Sequence, residues 1–143
     1  MSGKGSAFHR LLQEAIAERY RAQGKVAIIE ADIREKKVDV LVLDGYGASL
    51  AVEIHLHRHW EQLELQVRKN ASRNLRIQLV VVPDGLGATA REYLDIHLPY
   101  DTRKGVRVCS VSDIFQGNDC AEVRVMPRNN PRNDGDGRKG RRP

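Results

Sequence analysis

Val38-Asp39-Val40-Leu41-Val42-Leu43, Asp44-Gly45-Tyr46-Gly47 and Ser49-Leu50-Ala51-Val52-Glu53-Ile54-His55-Leu56 follow one another with a single residue unquoted. The first run is apolar and broken by one acid; the last alternates in its second half. The glycine-bearing stretch between them is a tight-turn signal, so the two runs predict a hairpin. A carboxylate inside an apolar strand is costly unless it is paired, hydrogen-bonded or bound to metal. Asp39 and Glu53 are therefore the informative residues. His55 follows Glu53 by two and shares its face, so the right register would bring all three together. Two converging carboxylates repel. A divalent cation relieves the repulsion, and hard oxygen ligands suit Mg2+ or Mn2+. Such an ion polarises a phosphodiester and activates its bound water. The plainer alternative is solvent exposure, or pairing of Asp39 with Arg34, Lys36 or Lys37.

Working outward, residues 6–23 predict an amphipathic helix with Phe8, Leu11, Leu12, Ala15, Ile16 and Tyr20 at three- and four-residue steps. Ser6 is its N-cap and Gly24 its stop. Lys25–Ile29 reads as a strand. Residues 60–72 read as a helix with Trp60, Leu63, Val67 and Ala71 on one side, and Trp60 is taken as a core residue. Leu75–Val82 is an aliphatic strand closed by Pro83-Asp84-Gly85. Ala88–Leu94 is a further helix, Val106–Val111 a last strand, and Ser112–Phe115 the start of a short helix. A hairpin gives antiparallel pairing, whereas helical crossovers give parallel pairing. The expected fold is α/β, with a mixed central β-sheet flanked by helices on both faces.

Val38-Asp39-Val40-Leu41, the turn, and Ala51-Val52-Glu53-Ile54-His55 together resemble the Asp…Glu-x-Lys signature of the PD-(D/E)xK nuclease superfamily. The preceding helix and the following helix-strand pair resemble that superfamily's αβββαβ restriction-endonuclease-like core. The resemblance spans residues 6–83, with 88–111 as peripheral elements. It implies a metal-dependent nuclease that cleaves DNA phosphodiesters, with Asp39 and Glu53 as ligands of Mg2+ or Mn2+ and Gln66 as a supporting polar residue. Some branches add an acid from the first helix, for which Glu14 is the candidate. The departure is His55, which stands where the family has lysine. It leaves several readings open: a general base, a third metal ligand, a domain that binds nucleic acid or a protein partner without cleaving, or a lysine displaced to Lys69.

A basic set, Arg58, His59, Arg68, Lys69 and Arg73, surrounds this region and is expected to contact nucleic acid, although Arg68 also lies at helical spacing from Glu61 and Glu64. His57 and His59 fall in the connection to the helix. They offer no closing ligand for a separate zinc site. The chain has 143 residues and a net charge of +5, which fits one domain. Pro127–Pro143 carries six basic residues against Asp134 and Asp136. The expectation is a single domain over 1–125 and a flexible basic tail over 126–143 that attracts polyanions or simply solubilises. Cys109 and Cys120 match no metal or redox spacing. No stretch predicts a membrane span or a secretion signal, so a cytoplasmic protein is expected. It would act on nucleic acid, DNA in the first place, as a homodimer or within a larger complex, because no second domain is present to choose a target.

Overall fold

The computed structural model describes residues 6–47 and 49–117. The expected basic tail, the domain's last residues and Cys120 lie outside the described residues. In chain order the elements are α1 (Ala7–Ala22), β1 (Val26–Ile33), β2 (Lys36–Leu43), β3 (Ser49–Ile54), α2 (Trp60–Ser72), β4 (Gln78–Val82), α3 (Gly87–His97), α4 (Tyr100–Arg103), β5 (Val106–Ser110) and α5 (Val111–Gln116). The strands form one sheet in the order β1-β2-β3-β4-β5. The first three pair antiparallel and the last two join parallel. This is the mixed α/β sheet that the order of hairpin and crossover signals predicts, compatible with a restriction-endonuclease-like core.

Two apolar layers hold it. On one face, Leu12, Ile16 and Tyr20 of α1 and Ile114 of α5 pack on Val40, Val42, Val52, Ile54 and Leu79. On the other, Leu63 and Val67 of α2 and Ala90 and Leu94 of α3 pack on Val80, Val82 and Val106. Helix α1 starts where Ser6 accepts from the His9 backbone N–H at 3.0 Å, as an N-cap serine does. Its inner face differs from the sequence pattern. Phe8 and Leu11 are exposed, whereas His9 and Gln13 are buried beside Leu12 and Ile16. The helix is turned so that two polar side chains face the sheet, and both have a use there.

The β1–β2 hairpin is also unexpected in detail. Ile33 pairs with Lys36, leaving a two-residue loop of Arg34 and Glu35 with φ of 50° and 71°. Left-handed residues at both positions match a type I′ turn, the form compatible with strand twist. Because the pairing runs to this loop, β1 continues to Ile33 and β2 begins at Lys36.

Candidate metal and nucleic-acid site

Alternation along β2 breaks at Asp39. Val40 and Val42 belong to the layer under α1, but Val38 packs with Leu41 and Ala51 on the other side. Strict alternation would place Val38 with Val40. The partner strand is distorted at the same level: Glu30, between the pairs Ile29↔Val40 and Ala31↔Val38, has a φ of 54°. A left-handed glutamate costs energy and persists only where its surroundings fix it.

The irregularity opens the end of the β2–β3 ladder. The ladder ends at the pair Val40↔Val52, so continuing the register sets Asp39 across from Glu53. Asp39 Oδ2 accepts from the Ile54 backbone N–H at 2.7 Å, which ties the aspartate to the strand carrying Glu53. Helix α1 supports it twice: Gln13 Nε2 donates to the Asp39 carbonyl at 3.1 Å, and His9 Nε2 lies 3.4 Å from Asp39 Oδ1. Among the described residues, neither His9 ring nitrogen makes a hydrogen bond.

Glu53 is held from the other side. Its Oε2 accepts from Lys36 Nζ at 2.8 Å and from Asn70 Nδ2 at 3.0 Å. Asn70 Nδ2 also donates to Gln78 Oε1 at 3.1 Å, and Gln78 Nε2 donates to the Val67 carbonyl at 3.1 Å, so the network locks onto the helix behind it. Burial pushes the Glu53 pKa up, and the nearby charge of Asp39 pushes it further. Lys36 and Asn70 oppose both effects without cancelling them. The two carboxyl groups thus feel each other in a setting that disfavours two negative charges.

Among the described residues, no three side chains of His, Cys, Asp or Glu converge as a ligand set. Two carboxylates nevertheless fit a hard divalent ion, because magnesium is commonly held by one or two carboxylates and keeps waters or phosphate oxygens as its other ligands. Glu53 Oε2 is engaged by Lys36 and Asn70, while Oε1 carries no hydrogen bond among the described residues. The unengaged oxygen and the raised Glu53 pKa are what such an ion would exploit.

His55 sits just past β3, its backbone N–H donating to the Val81 carbonyl at 2.8 Å. Its ring lies against His57, with centroids 4.3 Å apart, and near Trp60, at 5.8 Å. No hydrogen bond joins it to either carboxylate, and among the described residues its buried Nε2 has no partner. Burial first, and His57 next, lower its pKa to about 4 despite opposing effects from the His59 backbone and Asp39. The ring is therefore neutral at pH 7.

Gln66 is half-buried on α2 and makes no hydrogen bond to either acid; the side chain that reaches Glu53 from this helix is Asn70, one turn further on. Glu14 is exposed. Of the basic set, Arg68 is committed to Glu64 at 2.9 Å and to the His97 carbonyl at 2.7 Å. Arg73 donates to the carbonyls of Arg34 and Lys69. Arg58, His59 and Lys69 are exposed, and neither Arg58 nor Lys69 forms an ion pair among the described residues. Lys36 was legible only as a possible partner of Asp39, yet it pairs with Glu53. His9 and Asn70 carried no sequence signal beyond polarity at positions that prove to be buried.

No family model and no curated protein matches the chain. Two solved structures are similar to it. A protein of unknown function from Silicibacter pomeroyi, SPO1766, is 22% identical, with a TM-score of 0.44, over 62% of this chain and 56% of the other. A repair endonuclease from Pyrococcus abyssi is 17% identical, with a TM-score of 0.45, over 78% of this chain and 49% of the other. The chain therefore spans about half the length of each. Among the described residues, no helix is long and apolar enough to cross a membrane.

Proposed function

We propose that this chain is a divalent-cation-dependent nuclease acting on DNA phosphodiesters, with Asp39 and Glu53 as the pair that holds Mg2+ or Mn2+. The observation that carries the reading is the hydrogen bond from Ile54 N–H to Asp39 Oδ2, which fixes the aspartate beside a glutamate whose charge is already disfavoured. A bound cation would polarise the phosphodiester and lower the pKa of an attacking water.

The chain's own residues supply the rest. Lys36 provides a fixed positive charge at Glu53, in the electrostatic role that the resemblance gives to the residue at position 55. His55 cannot provide that charge, since its ring is neutral at pH 7. With so low a pKa it is also a poor general base near neutrality. Its partnerless Nε2 is suited to accepting one hydrogen bond from water or substrate. Gln13 holds the Asp39 backbone from α1 and His9 lies beside its carboxylate, while Asn70 orients Glu53. Arg58, His59 and Lys69 are available for backbone phosphates, whereas Arg68 and Arg73 would first have to leave their protein partners.

A second reading is favoured by one observation. Lys36 already pairs with Glu53 inside the protein, and such a pair can stand without a metal. A nuclease-fold module that binds nucleic acid or a protein partner without cleaving it would look the same. Cleavage of plasmid and branched DNA with Mg2+ or Mn2+, comparing wild type with Asp39→Asn, separates the two. The nuclease reading expects metal-dependent cleavage that the substitution abolishes. Equal cleavage by both proteins, or none by either, contradicts it.

A further inference from the structure

Beyond His55 the chain runs through a series of rings. The centroids of His57 and His59 are 4.8 Å apart, and Trp60 then opens α2. Next to Trp60 lies a cleft of about 540 Å³ whose walls include Arg58, His59, Trp60, Glu61, Leu65 and Tyr93. Its size falls in the range of small-molecule sites, roughly 300–1,000 Å³. Trp60 and Tyr93 are half-buried against the layer under α2 and α3, so their rings are held in place. Tyr93 is further fixed by stacking on His97, with centroids 4.1 Å apart. Leu65 remains 57% exposed on the wall.

The charges are as informative as the rings. Arg58 is exposed and makes no ion pair among the described residues. Glu64, the nearby acid, is taken up by Arg68 and the Tyr93 hydroxyl. The N-cap of α2, His59, makes no side-chain cap bond, and the Trp60 and Gln62 amides turn back to the Arg58 and His59 carbonyls, so the charge available to an anion here is that of Arg58. Glu61 in the first turn opposes an anion. Fixed planar rings beside an unpaired guanidinium match a nucleotide, the base stacking and the phosphate taking the charge. A base inside a duplex is stacked on its neighbours and cannot enter.

We propose that this cleft is a binding subsite for one unpaired nucleotide of single-stranded DNA. The base stacks on Trp60 and Tyr93, and the phosphate lies on Arg58 at the start of α2. The choice of DNA as ligand rests on the nuclease reading. The His55 and Trp60 rings adjoin, with centroids 5.8 Å apart, and His55 follows Glu53 by two residues, so the subsite lies on the connection that leaves the strand carrying Glu53.

Trp60 is the chain's one tryptophan, so its fluorescence reports the cleft. The full chain is titrated, with EDTA present, against a short oligodeoxythymidylate and against a blunt duplex of equal length. Saturable quenching by the single strand, with a much weaker response to the duplex, is expected. Tyr93→Ala should weaken single-strand binding at least about fivefold, the loss of one stacked base. Arg58→Glu, in an exposed loop where folding is not at stake, should weaken it as well, and Glu61→Gln should tighten it. No quenching, equal quenching by duplex, or unchanged affinity in Arg58→Glu overturns the proposal. Asp39→Asn should still bind. Quenching without cleavage would count against the nuclease reading alone, and cleavage without quenching against the subsite alone.

Discussion

The ammonium of Lys36 donates to Glu53 Oε2 across 2.8 Å, and both side chains are more than nine-tenths buried. Buried pairs of this kind contribute little net stability, but breaking one leaves a charge stranded. Lys36→Met should therefore destabilise the fold at pH 7 by about 3–5 kcal/mol. Adding Glu53→Gln should recover much of that loss, since no unpaired carboxylate remains. Urea unfolding of the two single variants and the double variant measures the coupling directly. Additive losses would mean that the pair is incidental.

The pH dependence of stability has a definite sign at His55. Its pKa in the folded chain is about 4, against an ordinary value near 6.5. The unfolded chain therefore binds the extra proton between these values, so this residue's contribution is intact above the upper one and is lost as pH falls towards the lower. Glu53 acts with the opposite sign in its own window, because its raised pKa lets the folded state hold a proton longer. Comparing wild type with His55→Gln isolates the histidine. The slope of stability against pH from about 4 to 6.5 should be shallower in the variant.

The turn between β1 and β2 predicts a gain. Arg34 and Glu35 both hold left-handed φ without being glycine or asparagine, at a cost of roughly 1–2 kcal/mol per residue. Replacing the pair with Asn-Gly should stabilise the chain by about 1 kcal/mol or more. Thermal unfolding checks this, and a lower midpoint would show that side chains of the turn matter more than its backbone.

That turn also marks where the sequence stopped being readable. The β2–β3 hairpin was legible because Asp44-Gly45-Tyr46-Gly47 supplies turn chemistry, and α2 because Trp60, Leu63, Val67 and Ala71 keep a helical period. Arg34-Glu35 carries no such signal, so the first hairpin and the full length of β1 stayed hidden. Asp39 and Glu53 stood out as acids among aliphatic residues, which is a local property. Their supports are not local. His9, Gln13 and Asn70 are ordinary polar residues on amphipathic helices, and only the way α1 and α2 pack shows that they face the carboxylates. The period of α1 pointed to Phe8 and Leu11 as core, yet the helix turns them outward so that His9 and Gln13 reach Asp39. Lys36 could not be assigned, because one face change at Asp39 decides which acid it meets.

One divalent ion shared by Asp39 and Glu53 is the centre of the proposed function. Calorimetric titration of the full chain with Mn2+ tests this most directly, comparing wild type with Asp39→Asn, whose amide oxygen can still accept the Ile54 hydrogen bond. Wild type should bind one ion, with an affinity that falls as the pH is lowered because the raised Glu53 pKa lets protons compete, and the variant should lose at least about tenfold in affinity, a difference of about 1.4 kcal/mol. Equal binding by the two proteins, or none by wild type, would contradict the account.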